Sequence, residues 1–520
     1  MSAGPVFPRA MRAAAVFLVL VFVVLVARFW HPVYGFTRFL QLDASNDAAK
    51  IAAFRTYPVY VYRDTGGYDG LYYAQIAHHP SLAAPELAHA TDNLAYRARR
   101  ILPPALAWLA AGGQEAWIAQ AYALLNVAAW LALAWLLWRL LPDDGRGLLA
   151  WAGVLFSAGA LGSVRFALTD LVALVIVAAA VQAAEQQRPG RATALLGAAG
   201  LARETSLLAF GGLWERPWLS PRMIGRALLA AIPLLAWLVY VRWRVGAGDP
   251  GWSNFDLPFT GFFGKWRSDL TAALASNPAH RWLIWTTLLA TFGVTVQAVF
   301  FLRHRQTGDA WWRTGAIYAA LLCCLGPAVW EGYPGAETRV LLPLALAFNV
   351  MAARTRASVC WLLLGNLGVF SGLMMITDVH RDPRELGAAR IAGTAVVAEV
   401  GDGWYGVERS SRHTWSWNEG RGLLSLHSWP AGDRAVRVTC TLRSLQPTTV
   451  TVTQDGAVRW RGTVGPSTMA ASFPVPIAAG TARLEFSSDA AGVKEDAALG
   501  GRTLAFAVYD LRFAVPETTP

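Results

Sequence analysis

Residues 115–140 read EAWIAQAYALLNVAAWLALAWLLWRL. The only charged residues in this stretch are Glu115 and Arg139, and they stand at or near its two ends. A helix of about 20 mainly apolar residues is long enough to cross the hydrocarbon core of a bilayer. The stretch therefore predicts a membrane-spanning helix and places the chain among integral membrane proteins.

Similar apolar stretches recur through the first three quarters of the chain. The sequence is 55% apolar and only 15% charged, whereas soluble domains carry about 25% charged residues. This composition excludes a soluble globular enzyme, a disordered protein and a small disulfide scaffold. We expect about 9–11 membrane spans, drawn from the candidates 13–27, 115–140, 147–163, 166–184, 192–213, 223–245, 282–302, 312–329, 340–353 and 357–376.

The charge pattern predicts the orientation in the membrane. The 520-residue chain has a net charge of +11, and its basic residues stand mostly at the ends of apolar stretches. Cytoplasmic loops and contacts with anionic lipid explain this pattern, so we expect no nucleic-acid partner. Arg9 and Arg12 precede the first span, which predicts a multi-pass protein of the cell (inner) membrane with a cytoplasmic N-terminus. Residues 31–100 then form a long outer loop with short helices.

The hydrophobic period changes in the last quarter of the chain. Residues 436–442 read VRVTCTL, an alternation typical of a strand with one buried face. Several such segments, with a hairpin signal at Asp455-Gly456, predict an all-β, jelly-roll-like sandwich over 401–515. We expect it to follow a transmembrane domain, 1–380, and a linker, 381–400. Segment 192–213 could cross once, but we expect it to turn back at Arg203-Glu204, which agrees with the loop charges and places the sandwich outside the cytoplasm.

Aromatic residues in the sandwich allow two interpretations. They could stack on carbohydrate, or they could form the core and a docking surface of the domain. Packing is the commoner role of such clusters in small β-domains. The residues concerned are Trp404, Tyr405, Trp415, Trp417 and Trp429.

The outer loop contains a candidate catalytic carboxylate. Asp69 lies in Gly66-Gly67-Tyr68-Asp69-Gly70, where glycines permit unusual backbone near a ligand. Aromatic neighbours such as Tyr68 can shield a carboxylate from water and raise its pKa toward the range of a general base. The structural alternative is that Asp69 caps the helix that begins at Gly70.

Arginines near the end of the same loop form a candidate phosphate site. Arg97 and Arg100 are three residues apart, so they share a face if the segment is helical. Guanidinium groups bind phosphate through paired hydrogen bonds. Contact with lipid headgroups at the membrane surface is the alternative.

Three further groups of charged residues stand at predicted membrane depth or at the edge of a span. Ionisable residues there are costly and are often functional. Each has a structural alternative: Asp170 could oppose a helix dipole, Arg203 and Glu204 could form an internal ion pair, and Arg339 could extend toward the membrane surface. Glu337 shares the segment of Arg339 at the start of a late span.

The order of these features resembles the GT-C superfamily of integral-membrane glycosyltransferases. The resemblance covers roughly residues 10–380. Within the superfamily, the sequence is similar to the aminoarabinose and mannosyl transferase type, whose members use polyprenyl-phosphate sugars. It is carried by Tyr68-Asp69-Gly70, Arg100-Ile-Leu-Pro103-Pro104, Thr169-Asp170, Gly200-Leu-Ala-Arg203-Glu204 and Glu337-Thr-Arg339.

The resemblance implies a hexosyl- or pentosyl-type transferase of the cell envelope. Asp69 would be the general base, and Arg97, Arg100 and Arg339 would bind the donor phosphate. Tyr68, Asp170, Arg203, Glu204 and Glu337 would shape the cavity or bind the acceptor, which would be a glycan, a lipid or a protein.

The metal is unknown, although a divalent cation would fit the chemistry. Many members carry two acidic residues close together in the first loop, whereas Asp64 and Asp69 are five apart.

A transporter or flippase of lipid-linked sugars is the alternative function, with the same charges lining a pathway. Such proteins are commonly built from two corresponding halves. We find no internal repeat in the sequence, and the long first loop and the β-domain favour a one-sided enzyme.

Overall fold

The computed structural model describes residues 9–516 apart from 215–216, 218–219, 250, 276–280, 497 and 499. The chain forms two compact units. The helical unit contains the chain up to Phe29, then Phe36–Ile51 and Asp64–Val379. The β-unit contains Trp30–Gly35, Ala52–Arg63 and the chain from His380 onward.

The α-helices lie almost entirely in the helical unit. In chain order they are α1 (Arg9–Ala27), α2 (Ala52–Thr56, in the β-unit), α3 (Gly70–His78), α4 (Leu87–Ala90), α5 (Leu94–Arg97), α6 (Leu102–Ala110), α7 (Glu115–Leu140), α8 (Gly145–Leu155), α9 (Ala158–Arg165), α10 (Asp170–Glu185), α11 (Pro189–Ala202), α12 (Pro221–Arg244), α13 (Thr260–Ala275), α14 (Arg281–Arg303), α15 (Ala310–Cys323), α16 (Pro327–Trp330), α17 (Glu337–Val340), α18 (Leu342–Arg354), α19 (Val359–Gly365) and α20 (Val369–Thr377). Short 3₁₀ helices occur at Thr37–Leu40, Ala44–Ala49, Glu204–Leu213 and Trp252–Asn254.

Four described helices are long and apolar enough to cross a membrane: Ala10–Ala27, α7, α12 and α14. The bent pairs α8–α9 and α19–α20 raise this number to 6 if each pair is one span. A multi-pass helical protein with a C-terminal all-β part was predicted from the sequence, and that architecture is confirmed. The predicted total of about 9–11 spans counts shorter apolar helices, such as α10, α15 and α18, as crossings.

The backbone breaks where the two charged residues interrupt the apolar segment 192–213. Helix α11 ends at Ala202, and Arg203 is extended, with φ −157° and ψ 126°. A 3₁₀ helix then begins at Glu204. The break therefore keeps Arg203 and Glu204 out of a continuous helix and frees their side chains for ion pairs.

The strands form most of the β-unit. In chain order they are β1 (Leu42–Asp43, in the helical unit), β2 (Val61–Tyr62), β3 (Glu385–Ile391), β4 (Thr394–Val400), β5 (Glu408–Arg409), β6 (Thr414–Asn418), β7 (Arg421–Trp429), β8 (Arg434–Ser444), β9 (Thr448–Gln454), β10 (Ala457–Val464), β11 (Met469–Ile477), β12 (Thr481–Ser488), β13 (Val493–Lys494), β14 (Thr503–Leu504) and β15 (Phe506–Ala514).

The C-terminal strands form a sandwich of two antiparallel sheets. One sheet has the order β10-β9-β12-β7-β4-β3, and the other has the order β11-β8-β15-β6-β5. Alternate residues from both sheets form one buried core, in which Leu424 and Val452 come from the first sheet and Val438 and Phe506 from the second. Consecutive strands cross repeatedly between the sheets, as in a jelly roll.

The segment 381–400 corrects one prediction. It was predicted to be a linker, but β3 and β4 occupy most of it and pair with each other along their length. Strand β4 also pairs with β7 in the interior of the sheet. Its sequence, TAVVAEV, is buried on both faces over Ala395–Ala398, so it lacks the alternation that identified the other strands.

Parts of the first loop belong to the β-unit. Val33, Tyr34, Tyr60 and Tyr62 pack with Ala395 and Val397 of β4 in a second buried cluster. Ion pairs surround this cluster: Arg63 lies 3.3 Å from Asp382 and 2.9 Å from Glu399, and His31 lies 3.0 Å from Glu385. The β-unit is therefore built from three separate chain segments.

The aromatic residues of the sandwich pack mainly on one another. Trp404 makes edge contacts with Phe486 and Phe506. Trp417 is buried, and Trp415 stacks on Tyr509 with ring centroids 5.7 Å apart. These contacts favour the packing interpretation of the aromatic residues.

Strand β7 offers a direct test of the sandwich core. Leu424 is 0% exposed, whereas its neighbour Leu423, on the opposite face, is 41% exposed. Leu424→Ala should lower the free energy of unfolding of the β-unit by about 2–5 kcal/mol, because it leaves a cavity in a packed core. Hydrogen exchange of β-unit peptides in the full chain measures this loss. Leu423→Ala is the matched control, and equal exchange in the two variants would contradict the assigned faces.

Candidate active site

A glycine-rich turn positions Asp69 immediately before α3. Gly66 and Gly67 have φ values of +73° and +75°, which favour glycine. A Cβ atom at Gly70 would lie 2.2 Å from the carbonyl oxygen of Phe166, so only glycine permits this close approach. Asp69 makes no side-chain capping hydrogen bond to α3. Its carboxylate instead lies 3.0 Å from the guanidinium of Arg97, so capping does not explain this residue.

Arg97 bridges two carboxylates of the long first loop. Its Nη2 is 3.0 Å from Asp69 and 2.7 Å from Asp92, and its Nε donates to Asp92 at 3.0 Å. The short helix α5 holds this arginine, and the Asn93 side chain caps that helix by accepting a hydrogen bond from the Tyr96 amide at 3.0 Å. Arg97 is thereby fixed against Asp69.

Arg100 is held by three partners. Its Nε donates to Glu204 at 3.0 Å, and its terminal nitrogens donate to the hydroxyl groups of Tyr73 at 2.9 Å and Tyr96 at 3.2 Å. Glu204 lies at the break after α11, so this pair joins the first loop to that break. The sequence predicted Arg100 and Glu204 as site residues but not their pairing.

Asp170 is the buried anchor of two further arginines. It is the first residue of α10 and is 3% exposed. Arg203 forms an ion pair with one carboxylate oxygen, and Arg339 lies 3.7 Å from the other. Arg339 also donates a hydrogen bond of 3.0 Å to the Tyr68 hydroxyl, and the Tyr68 ring stacks on Phe166.

Most of these charged side chains line one cavity of about 680 Å³ within the helical unit. Asp69 keeps 31% of its side-chain surface accessible, whereas Arg97 and Arg339 keep 11% and 12%. The cavity is within the size range of small-molecule sites, about 300–1,000 Å³. Of the site residues predicted from the sequence, those that line it are Tyr68, Asp69, Arg97, Arg100, Arg203, Glu204 and Arg339.

Asp170 and Glu337 are not among the residues that line this cavity. Asp170 instead pairs with two arginines, Arg203 and Arg339, that do line it. Glu337 is 0% exposed, and neither of its carboxyl oxygens has a hydrogen-bond partner among the described residues. Burial raises the pKa of the Glu337 carboxyl to about 8.

The pKa of Asp69 departs from the sequence-based expectation. Burial by itself would raise this pKa, but the positive charges of Arg97 and Arg339 outweigh burial and lower it. The carboxylate is therefore ionised at neutral pH and ready to accept a proton. The sequence predicted a raised pKa from the aromatic neighbours, because it does not show that arginines distant along the chain converge on Asp69.

Several cavity residues were missed by the sequence analysis. They are Asp92, Tyr96, Arg99 and the segment around Asn254. Asp92-Asn93, shortly before the arginine cluster, was the available signal, because an Asx residue often caps a short helix. No comparable signal marks Asn254, whose side chain lies 3.4 Å from the Tyr96 hydroxyl.

The site gives little support for a divalent cation. Among the described residues, no group of three or more His, Cys, Asp or Glu side chains could hold a metal ion. Asp69 and Asp92 are instead bridged by the guanidinium of Arg97, which a cation between them would have to displace. We therefore derive no catalytic step through a metal.

Comparison with solved structures finds a distant likeness. No family model and no curated protein matches the chain. The chain is similar to the arabinosyltransferase EmbB from Mycobacterium smegmatis, a cryo-EM structure, with 13% sequence identity and a TM-score of 0.21. The alignment covers 86% of this chain and 62% of that chain, so this chain spans less than two thirds of that protein. A likeness at this TM-score carries no functional argument.

Proposed function

We propose that the chain is a membrane glycosyltransferase that moves a sugar from a polyprenyl-phosphate donor to an extracytoplasmic acceptor. The acceptor is a glycan, a lipid or a protein. One observation carries the proposal: an ionised carboxylate, Asp69, and the guanidinium groups of Arg97, Arg100 and Arg339 line the same cavity of a multi-pass membrane protein. Transfer from a phosphate-linked sugar requires a general base for the acceptor hydroxyl. It also requires positive groups that stabilise the departing phosphate.

The proposed reaction is a displacement at the anomeric carbon. An acceptor hydroxyl attacks that carbon, and Asp69 takes the hydroxyl proton as the new C–O bond forms. The bond between the anomeric carbon and the phosphate oxygen breaks, and the electron pair leaves with polyprenyl phosphate. The lowered pKa of Asp69 keeps it in the basic form before each turnover.

Arg339 is the guanidinium best suited to bind the leaving phosphate. Arg97 and Arg100 each make a carboxylate contact of 3.0 Å or less, whereas the carboxylate contact of Arg339 is 3.7 Å. A phosphate can therefore approach Arg339 without displacing a close ion pair. Arg97 and Arg100 line the same cavity and add positive charge to it, and Asp170 pairs with Arg203 and Arg339.

The test uses purified protein in detergent with a panel of polyprenyl-phosphate sugars. Release of free polyprenyl phosphate that depends on an added acceptor would support the transferase. No release from any donor, together with movement of a lipid-linked sugar across liposomes, would replace it with a flippase. Both assays use the full chain, because the site draws on segments from residue 68 to residue 340.

The pH dependence of transfer tests the link between Arg97 and Asp69. A base must be deprotonated, so transfer is lost as pH falls through the pKa of Asp69, which lies below the ordinary value near 3.9. Arg97→Gln removes the positive charge that lowers this pKa most. The burial of Asp69, which raises the pKa, remains. The acid limb of the kcat/KM profile should therefore move to higher pH.

Arg99 supplies the control for this measurement. It lines the same cavity, but the main charges that lower the pKa of Asp69 are those of Arg97, Arg339 and Arg100. Arg99→Gln should leave the acid limb in place. An unmoved limb in Arg97→Gln would show that Asp69 is not the titrating base.

A further inference from the structure

The helical unit contains a second cavity of about 610 Å³. It lies against one face of α13 and the first turns of α14, which contribute Leu283, Ile284 and Thr287. Since α14 is a candidate span, these residues place the cavity at one end of that span and not at its middle. The sequence analysis and the reaction described above assign nothing to it.

A single chain segment separates this second cavity from the cavity lined by Asp69 and the arginines, which we call the reactive cavity. Trp330 and Tyr333 line the second cavity, Val329 and Ala336 line the reactive cavity, and Glu331 lines both, as does its neighbour Gly332. The two cavities are therefore adjacent, and a molecule in one lies next to a molecule in the other.

The second cavity contains a buried ion pair on α13. Lys265 and Asp269 are 3.3 Å apart, and their side chains are only 8% and 6% accessible. Lys265 also donates to the Pro334 carbonyl at 2.8 Å, and Asp269 accepts from the Thr291 hydroxyl at 2.6 Å. Buried charges with this many partners are expensive to maintain beside a membrane, so their presence points to a polar ligand.

The two faces of α13 differ in chemistry. The exposed face carries Phe263, Leu270 and Leu274, which are 63%, 47% and 90% exposed and suit lipid contact. The face toward the cavity carries Lys265, Ser268 and Asp269. A hydroxylated ligand can hydrogen-bond to polar groups on this face, which a hydrocarbon chain cannot do.

Hydroxyl groups and aromatic rings complete the lining. Thr260 and Thr287 add hydroxyls to that of Ser268, and Glu331 adds a carboxylate. Trp330 already donates its indole N–H to the Leu325 carbonyl at 3.1 Å, so its remaining contribution is its ring. Polar groups that fix hydroxyls, together with an aromatic surface, suit a saccharide, whose ring has hydroxyl edges and apolar C–H faces.

We propose that this second cavity binds the saccharide part of the acceptor. Lys265, Ser268 and Asp269 would hold its hydroxyl groups, and the sugar would approach the reactive cavity beside Glu331 and Gly332. This inference rests on the proposed transferase function and narrows its acceptor from a glycan, a lipid or a protein to a molecule that carries a sugar.

Photolabelling tests the cavity independently of catalysis. The probe is an octyl glycoside with a diazirine on its sugar, and mass spectrometry of the purified full chain maps the labelled peptides. We expect labels within 260–272 and 327–333, reduced at least about tenfold by excess methyl glycoside, as expected for a saturable pocket. Ser268→Phe fills the cavity and should abolish the labelling. Thr271→Phe adds the same ring to an exposed position of α13 outside the cavity lining and should label like the wild type.

The outcomes separate this inference from the proposed function. No label at these segments, or label only from an octyl glycoside with the diazirine on its alkyl chain, would overturn the saccharide site. If wild type transfers sugar, Ser268→Phe should raise the KM for the acceptor about tenfold and leave the KM for the donor unchanged. A raised donor KM alone would instead assign the cavity to the donor. Saturable labelling without release of polyprenyl phosphate from any donor would retain the sugar site and remove the transferase.

Discussion

Asp69→Asn should reduce sugar transfer by about 10²–10⁴-fold, the usual cost of removing a positioned general base. The amide has nearly the shape of the carboxylate but cannot take the acceptor proton. It also loses the ion pair with Arg97, which keeps its second partner, Asp92. Membrane insertion should be unaffected, because Asp69 lies in a loop outside the candidate spans. Release of polyprenyl phosphate measures the loss.

Asp64 provides the matched control for this variant. It lies five residues earlier in the same loop, is exposed, and is absent from the cavity lining. Its φ of 60° is also well tolerated by asparagine. Asp64→Asn should therefore transfer sugar at the wild-type rate. Full activity in Asp69→Asn would remove Asp69 from the reaction.

Arg339→Gln should lower kcat by about 10²–10³-fold, the loss typical of removing one group that stabilises transition-state charge. Negative charge builds on the phosphate as its bond to the sugar breaks. Of Arg97, Arg100 and Arg339, the last has the longest contact with a carboxylate. Asp170 keeps Arg203 as a partner, so its burial remains compensated. Single-turnover rates at saturating donor measure the effect on the chemical step.

Arg339→Lys distinguishes charge from geometry at this position. Lysine keeps the positive charge but not the forked guanidinium, which donates a hydrogen bond to Tyr68 and forms the longer ion pair with Asp170. Activity between those of the wild type and Arg339→Gln is expected. A change confined to the KM for the donor in both variants would show that Arg339 binds the ground state and does not stabilise the leaving group.

Local patterns in the sequence predicted the elements that depend on local chemistry. The predicted helix 115–140 agrees with α7 at both ends, because its apolar run and its terminal charges lie within one segment. The strand predicted at 436–442 lies within β8, because one of its faces is buried and the other is not. Strand β4 was missed because burial on both faces removes the alternation.

The site was predicted residue by residue but not as a network. Tyr68-Asp69, Arg97 and Arg100 stood out because of their glycine, aromatic and basic neighbours. The partners of these residues lie far along the chain: Arg100 meets Glu204, and Arg339 meets Tyr68. These distant charges reverse the expected direction of the Asp69 pKa shift. Local sequence identifies the groups, but the fold decides their protonation.

The three-segment construction of the β-unit sets a time order for its folding. Trp30–Gly35 and Ala52–Arg63 leave the ribosome before the entire helical stretch Asp64–Val379, whereas their partners come after it. Strand β4 must be synthesised before it can pack on Tyr34, Tyr60 and Tyr62. Arg63 likewise cannot form its ion pairs until Asp382 and Glu399 have been synthesised. The β-unit therefore closes only after translation has passed the last helix, so a nascent chain stalled at Val379 leaves these three aromatic rings without their native cover.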